Sequence, residues 1–446
     1  MSAINSVPDG FKQSDVGIIP KTWDVKPFGE CFNIISGLGF AKSEYTQSGL
    51  NLLRIDNVSY GKVLWDSIAY LPENYVNKYP HLILEAGDLL LALNRPITNG
   101  KLKLAKLTPH DLPSILYQRV GKISTSDKNI DLNFAFYLLT KFIKLFVEES
   151  AVGTDQPFIS TTKLKKYDLP IPPKKEQTAI ANALSDVDAL LTELEKLIAK
   201  KQAIKTATMQ QLLTGKTRLT QFATFTEGEK QGQAKDTKPS ELGEIPEDWD
   251  VLLMDEVTDS LSSGATPFRG NPSFFKGNNR WITSGELKYG VINDTIEKVS
   301  DEAIKKANLK VHPSGTFLMA ITGLEAAGTR GSCGIVGAPA TTNQSCMAIY
   351  PNKKLKSNYL FHWYVYNGEE LALKYCQGTK QLSYTAGLLK TIPVLVPRDT
   401  SEQTAIATIL SDMDNEIQTL DQRLAKTRQI KQGMMQELLT GRTRLI

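Results

Sequence analysis

A chain of 446 residues holds about three domains' worth of polypeptide, and 41% hydrophobic residues allow substantial buried cores. Its net charge of +4 and pI near 8.6 are only mildly basic, too weak alone to demand a nucleic-acid partner. Cys31, Cys333, Cys346 and Cys376 form no C-x-x-C pair, the four histidines form no metal spacing, no apolar run approaches the ~18 residues of a membrane span and MSAINSVPDG is no signal peptide, so metal-site, disulfide and membrane classes drop out and a cytoplasmic protein is expected.

The first region, residues 14–170, opens on Gly17-Ile-Ile-Pro20-Lys-Thr-Trp23-Asp24-Val25. Glycine and proline then punctuate short apolar runs. Leu89 to Leu93, behind the turn Ala86-Gly87-Asp88, reads as a strand, and Leu132 to Glu149 reads as a helix. In residues 171–219, Pro172-Pro173 lead into Ile180, Leu184, Val187, Leu191, Leu194 and Ile198, which step alternately by four and three. That is a heptad seam, a narrow apolar stripe that needs another helix against it. A helix over 176–213, closed by Gly215, would be about 57 Å long at ~1.5 Å per residue. Residues 220–239 are polar, lack periodicity and read as a linker. The second region, 240–397, repeats the order with Gly243-Glu-Ile-Pro246-Glu-Asp-Trp249-Asp250-Val251, the turn Pro313-Ser-Gly315, a strand over Thr316 to Ile321 and a helix over Asn358 to Tyr375. The last segment, 398–446, carries the seam Ile406, Leu410, Met413, Ile417, Leu420 and Leu424, and ends its helix at Gly441.

These parallels are a duplication. Residues Glu176–Leu219 and Glu402–Leu445 align without a gap at an offset of 226, with 24 of 44 positions identical. The same offset relates the two Gly-x-Ile-Pro-x-x-Trp segments, while the sequences between these matched ends have diverged. Duplicated supports with unlike inserts predict two different reading surfaces, each on a mixed α/β domain, so the fold class is α/β (α+β). Charge predicts how the helices pair. Residues 176–195 carry five acids and no base, and 196–220 six bases and no acid; the second copy repeats the pattern, with Glu437 the one acid in its basic half. Parallel packing would set like charges together, so an antiparallel coiled coil with a pseudo-twofold axis is expected.

No catalytic set is visible. Asn271-Pro272-Ser273-Phe274 resembles the N-P-P-F/Y motif of amino-methyltransferases but lacks its second proline, and no glycine-rich AdoMet loop precedes it. Gly37-Leu-Gly39 is a lone G-x-G, better read as a turn, and there is no phosphate loop or nucleophile elbow. The divergent regions do offer side chains that pair with base edges or phosphates. In the first these are Lys42, Arg54, Asn57, Tyr60, Asn94, Arg95, Asn99 and Lys101, and in the second Thr266, Arg269, Trp281, Glu286, Lys288, Tyr289 and Arg330. Two further turns, Gly153-Thr154-Asp155-Gln156 and Gly378-Thr379-Lys380-Gln381, stand at matching places before the helical regions and could present Thr154, Gln156, Thr379, Lys380 and Gln381.

The paired Gly-x-Ile-Pro-x-x-Trp segments, the Glu176-Gln177 and Glu402-Gln403 helix starts behind prolines, and the Leu-Leu-Thr-Gly helix ends at Leu212 and Leu438 together resemble the specificity subunit of type I restriction-modification enzymes over essentially the whole chain. The resemblance implies two target recognition domains, each reading one half of a split, asymmetric site in double-stranded DNA, joined by an antiparallel helical spacer. It implies two methyltransferase subunits as partners, and restriction/translocase subunits beyond them. AdoMet, ATP and Mg are expected on those partners, with no cofactor on this chain and no catalysis by it. A stand-alone adenine DNA methyltransferase would need the missing AdoMet loop. A coiled-coil scaffold without DNA would leave the two large, unlike inserts without a purpose.

Overall fold

The computed structural model describes residues 7–125, 127–150, 158–324, 328–376 and 382–445. The chain divides into two compact units, Met1–Glu195 with Gln422–Ile446, and Lys196–Asp421. Each unit therefore holds one globular domain, the first half of the helix that follows it and the second half of the other long helix.

In the first unit β1 (Asn33–Ser36), β2 (Leu89–Ala92), β3 (Leu104–Lys106) and β4 (Val120–Ser124) form an antiparallel sheet in the order β3-β2-β4-β1. Strand β2 is apolar at every position because both sheet faces are covered. Leu89 and Leu91 enter a core shared with helix α1 (Leu132–Ser150), while Leu90 and Ala92 enter a second core. That second core lies under a three-stranded sheet in which Leu50–Leu53 runs parallel to Ser114–Leu116 and antiparallel to Tyr70–Leu71. Asp131 caps α1 by accepting from the Asn133 and Phe134 N–H groups, and Thr178 of the long helix α2 (Lys174–Leu213) donates to its other oxygen. Burial would lift the Asp131 carboxyl, but these hydrogen bonds outweigh it and hold the group below its ordinary range.

The second unit repeats this plan. Strands β5 (Thr258–Ser263), β6 (Gly290–Ile292), β7 (Phe317–Ala320), β8 (Cys333–Val336) and β9 (Cys346–Pro351) lie in the order β5-β9-β7-β8-β6. The first four of that order repeat β1-β4-β2-β3, and β6 is added on the edge. A three-stranded sheet again has a central strand, Asn279–Ile282, parallel to Ala340–Thr342 and antiparallel to Lys298–Val299. Helices α3 (Ser357–Tyr375) and α4 (Thr400–Leu438) complete the repeat. Two sequences that no longer resemble one another carry one topology.

Helix pairing follows the charges in both units. In the first, Asp188 and Glu195 meet Lys431 and Arg428; in the second, Lys201 and Lys205 meet Glu416 and Asp414. In each set the numbers rise on one helix as they fall on the other, which is antiparallel. Such partly exposed pairs are worth only ~0.2–1 kcal/mol each, enough to choose an orientation but not to hold a fold. The seam itself is divided in its duties. Ile180 and Leu184 belong to the first domain's core and Ile406 and Leu410 to the second's. Leu194, Ile198 and Leu424 are buried, whereas Val187, Leu191, Met413, Ile417 and Leu420 are half-buried. The first turns of each stripe are thus covered by a domain, where the heptad reading assigned the whole stripe to another helix.

Residues 220–239 differ from the featureless linker expected. Thr237–Ser240 pairs with Gly243–Pro246, as Phe11–Ser14 pairs with Gly17–Pro20, and Ser240 and Ser14 each donate to the carbonyl three residues on. Thr-Lys-Pro-Ser gives no periodic signal, so only the offset of 226 could have marked this strand.

Candidate nucleic-acid interface

The repeated motifs converge on two latches, one within each unit. In the first, the Trp23 indole N–H donates to Glu176 Oε2 at 2.9 Å, and Arg444 forks onto the same carboxylate, its Nη2 at 2.8 Å. Glu176 is 0% exposed. In the second, Trp249 donates to Glu402 at 3.1 Å, and Arg218 reaches the two oxygens of Glu402 at 2.7 and 2.8 Å. Arg218 also binds Asp248 at 2.8 and 3.1 Å. Gly441 and Gly215 end the two long helices at φ +70° and +71°, and a Cβ on either would enter the ring of Pro20 or Pro246. Gln177 and Gln403 each bridge to the segment before the neighbouring domain helix, the first accepting from Asp131 N–H and the second from Lys356 N–H, both at 2.8–2.9 Å. Burial pushes the Glu402 carboxyl up against the pull of Arg218, while for Asp248 the hydrogen bonds of Arg218 and Lys235 overcome burial and hold it below the carboxylate range. The repeated residues are supports.

Divergent loops leave the sheets at one end. In the first unit the pairs Ser36 with Gly121, Ala92 with Val120 and Leu91 with Leu104 bring the loops after β1, after β2 and before β4 to a common rim. Asn94 and Arg95 stand there, Arg95 exposed at φ +46°. The hairpin Ile97–Leu102 turns on Asn99-Gly100, both at positive φ (+52° and +70°), the two left-handed positions that a two-residue turn needs. Tyr60 donates to the Thr98 carbonyl at 3.0 Å, and Lys101 Nζ lies 5.7 Å from its ring. Tyr60, Arg95, Asn99 and Lys101 are exposed and Asn94 is half-buried. Gln118 and Arg119, which motif reasoning passed over, join them: Leu93 N–H donates to the Arg119 carbonyl, and Gln118 N–H to that of Leu38. Lys42 is exposed on its own short turn. Arg54 is instead tied to Ser67 at 2.7 Å, and Asn57 is buried with its amide on the Leu64 and Ser67 carbonyls. A buried, fully engaged amide has no reach to a base, which corrects the expectation for Asn57.

In the second unit the pairs Ser263 with Met347, Ala320 with Cys346, Met319 with Cys333 and Gly290 with Gly334 build the matching rim. Lys288 and Tyr289 are exposed, and the Tyr289 hydroxyl donates to the Arg330 carbonyl at 3.0 Å. Arg330 donates to the Leu324 carbonyl and lies 4.0 Å from Glu369. Thr266 is exposed and bonded to Gln344. Three candidates take other roles here. Trp281 is buried with its indole on the Ala265 carbonyl, Glu286 accepts from the Thr283 and Ile296 N–H groups, and Arg269 is forked onto Glu297 at 2.6 and 2.8 Å. Asn271 of the methyltransferase-like tetrapeptide caps its own turn, accepting from Ser273. Thr154, Gln156, Thr379, Lys380 and Gln381 lie outside the described residues. Among the described residues no His, Cys, Asp and Glu group is arranged to hold a metal, and no helix is long and apolar enough to cross a membrane.

A family profile described as the type I restriction modification DNA specificity domain matches residues 20–206 and 246–429. The chain is similar to the MjaVIII specificity subunit of Methanocaldococcus jannaschii, 43% identical over 47% of this chain. That alignment spans about half of the relative, 49%. The proposed MjaX specificity subunit of the same organism is 26% identical over 98% of this chain and 97% of its own length. A likeness of fold extends to the crystal structure of the type I restriction-modification S subunit from M. genitalium, at a TM-score of 0.57 and 15% identity, covering 98% of each chain.

Proposed function

The chain belongs to the type I restriction-modification DNA specificity family, and on that footing we propose that it selects the DNA target of such a complex without catalysing a step itself. Each domain reads one half of a bipartite, asymmetric site, and the paired helices set the gap between the halves and dock two methyltransferase subunits. AdoMet is held by those subunits, restriction subunits supply ATP-driven steps with Mg, and the assembly works in the cytoplasm. One observation carries this reading most directly: a single topology occurs twice on repeated latches, while the sequences between the latches, the loops of the two rims included, have diverged. Conserving supports while changing rims is what a pair of readers with different targets requires, since phosphate contacts position and base contacts specify.

The test is a gel shift of the chain assembled with its methyltransferase subunits, on specific and random duplexes, beside labelled AdoMet with the chain alone. Preference for the specific duplex, with no methyl transfer by the chain alone, is the expected result. Equal binding to both duplexes would overturn sequence reading, and methyl transfer by the isolated chain would overturn its non-catalytic role.

A further inference from the structure

Two side chains beside the second rim have an exposure that their own fold does not explain. Phe268 is 73% exposed and Ile296 is 89% exposed. Neither lies on a loose tip. Between them Arg269 is forked onto Glu297, and the same guanidinium lies 4.3 Å from the Phe275 ring centroid and 5.2 Å from that of Trp281. Ile296 N–H is fixed at 2.9 Å by Glu286, and Pro267, just before Phe268, is buried. The loop starts directly after Ser263 at the rim end of β5, and Ala265 N–H donates to the Thr342 carbonyl. Ile296 follows β6 at its far end, and its bond to Glu286, four residues before Gly290, ties it back toward the rim. Two apolar side chains are thus held out beside the rim on a braced mount whose positive charge is already matched.

We propose that Phe268 and Ile296 form an apolar prong that reads the 5-methyl group of a thymine in the half-site met by the second domain. This rests on the DNA-reading function above. Every base edge of the major groove presents donors or acceptors, and thymine sets beside its O4 acceptor a 5-methyl group, the one methyl there. Laid over any other edge, the prong would strip water from polar atoms and return no hydrogen bond. Over a methyl it gains contact and loses nothing. Arg269, a natural guanine reader by residue type, is engaged by Glu297 and acts as the brace. The exposed Lys288, two residues from the Glu286 that fixes Ile296, is placed to meet a phosphate nearby.

The experiment uses the chain assembled with its methyltransferase subunits and the mapped target duplex, with each thymine of the second half-site replaced in turn by deoxyuridine, which removes only the methyl. One replacement should weaken binding about fourfold, the scale of one buried methyl group. The double variant Phe268→Ala/Ile296→Ala should bind the intact target about as weakly and be indifferent to that replacement, with its thermal midpoint unchanged because both side chains are exposed. The inference is overturned if the half-site holds no thymine, if the wild-type assembly ignores every replacement, or if the double variant keeps full sensitivity. A 2-aminopurine probe that brightens on binding only when Phe268 is present would also overturn it, in favour of a wedge between base pairs. Loss of all preference over random duplex would instead remove the DNA-reading function, a distinguishable failure.

Discussion

Removing Arg218 isolates a buried carboxylate, and the structure fixes how much that should cost. Glu402 is 1% exposed and receives two of its three side-chain hydrogen bonds from Arg218, at 2.7 and 2.8 Å. In Arg218→Ala it would keep Trp249 alone. Asp248, the other partner, retains Lys235 at 2.8 Å and is partly solvated, so the loss falls mainly on Glu402. Breaking a buried pair costs ~3–5 kcal/mol, and because Arg218 itself is partly exposed we expect about 3 kcal/mol. Arg218→Met/Glu402→Gln removes the charge but keeps an acceptor for Trp249, and should cost only about 1 kcal/mol, about 2 kcal/mol less than Arg218→Ala alone. Acidity gives a second signature. The folded Glu402 carboxyl already sits above its ordinary range because burial outweighs Arg218, so it opposes folding at high pH and this opposition fades as pH falls toward 4.5. Without Arg218 the carboxyl rises further, and the Arg218→Ala deficit should shrink on acidification. Urea unfolding followed by tryptophan fluorescence measures the loss, and hydrogen exchange at residues 243–253 and 402–411 locates it. A deficit below ~0.5 kcal/mol, within the range of ordinary surface substitutions, or strictly additive single changes, would refute the latch.

Other consequences are as direct. His312 and His362 are buried and lowered from 6.5 to about 4 and about 3, chiefly by desolvation, so both fold neutral; the second unit should keep full stability above pH 6.5 and lose it as pH falls through 6.5 toward 3. A pH series of thermal midpoints checks this, and His362→Gln should flatten the profile. Gly441→Ala meets a positive φ and the Pro20 ring and should destabilise by about 2 kcal/mol, whereas Gly433→Ala, in open space within α4, should stabilise by ~0.8 kcal/mol; calorimetry on both variants separates them. One heptad inserted in register between Leu191 and Ile198, with another between Ile417 and Leu424, adds about 10 Å to each helix, or ~3 base pairs. Methylation mapping should then find the same half-sites further apart, and an unchanged gap would mean that the helices do not set it.

Much of the architecture was legible because it rests on local pattern. The apolar runs at Leu89 and Thr316, the turns at Gly87 and Gly315 and the domain helices fall where periodicity put them, and the long helices begin within two residues of the repeated glutamates. Charge halves alone predicted the antiparallel pairing. What could not be read depends on distant partners. Glu176 meets Trp23 across 153 residues and Arg444 across 268, so the motifs were visible but their meeting was not. Asn57 and Trp281 have residue types suited to DNA, yet a neighbouring loop in one case and Ala265 in the other enclose them. Gln118 and Arg119 became rim residues only through the register of β4 against β1 and β2, which no local pattern states.

The most direct measurement exploits the shared topology. Replacing residues 246–397 with a second copy of 20–171 exchanges one rim for the other on matching supports, since Pro246 and Pro20 stand at equivalent places beside the two latches. The chain so made, expressed with its methyltransferase subunits, is then mapped for methylated adenines across a host genome. Two like readers should recognise an interrupted palindrome built twice from the first domain's half-site. An active complex that keeps the original asymmetric site, or that reads one contiguous sequence, would contradict two independent readers on a repeated frame.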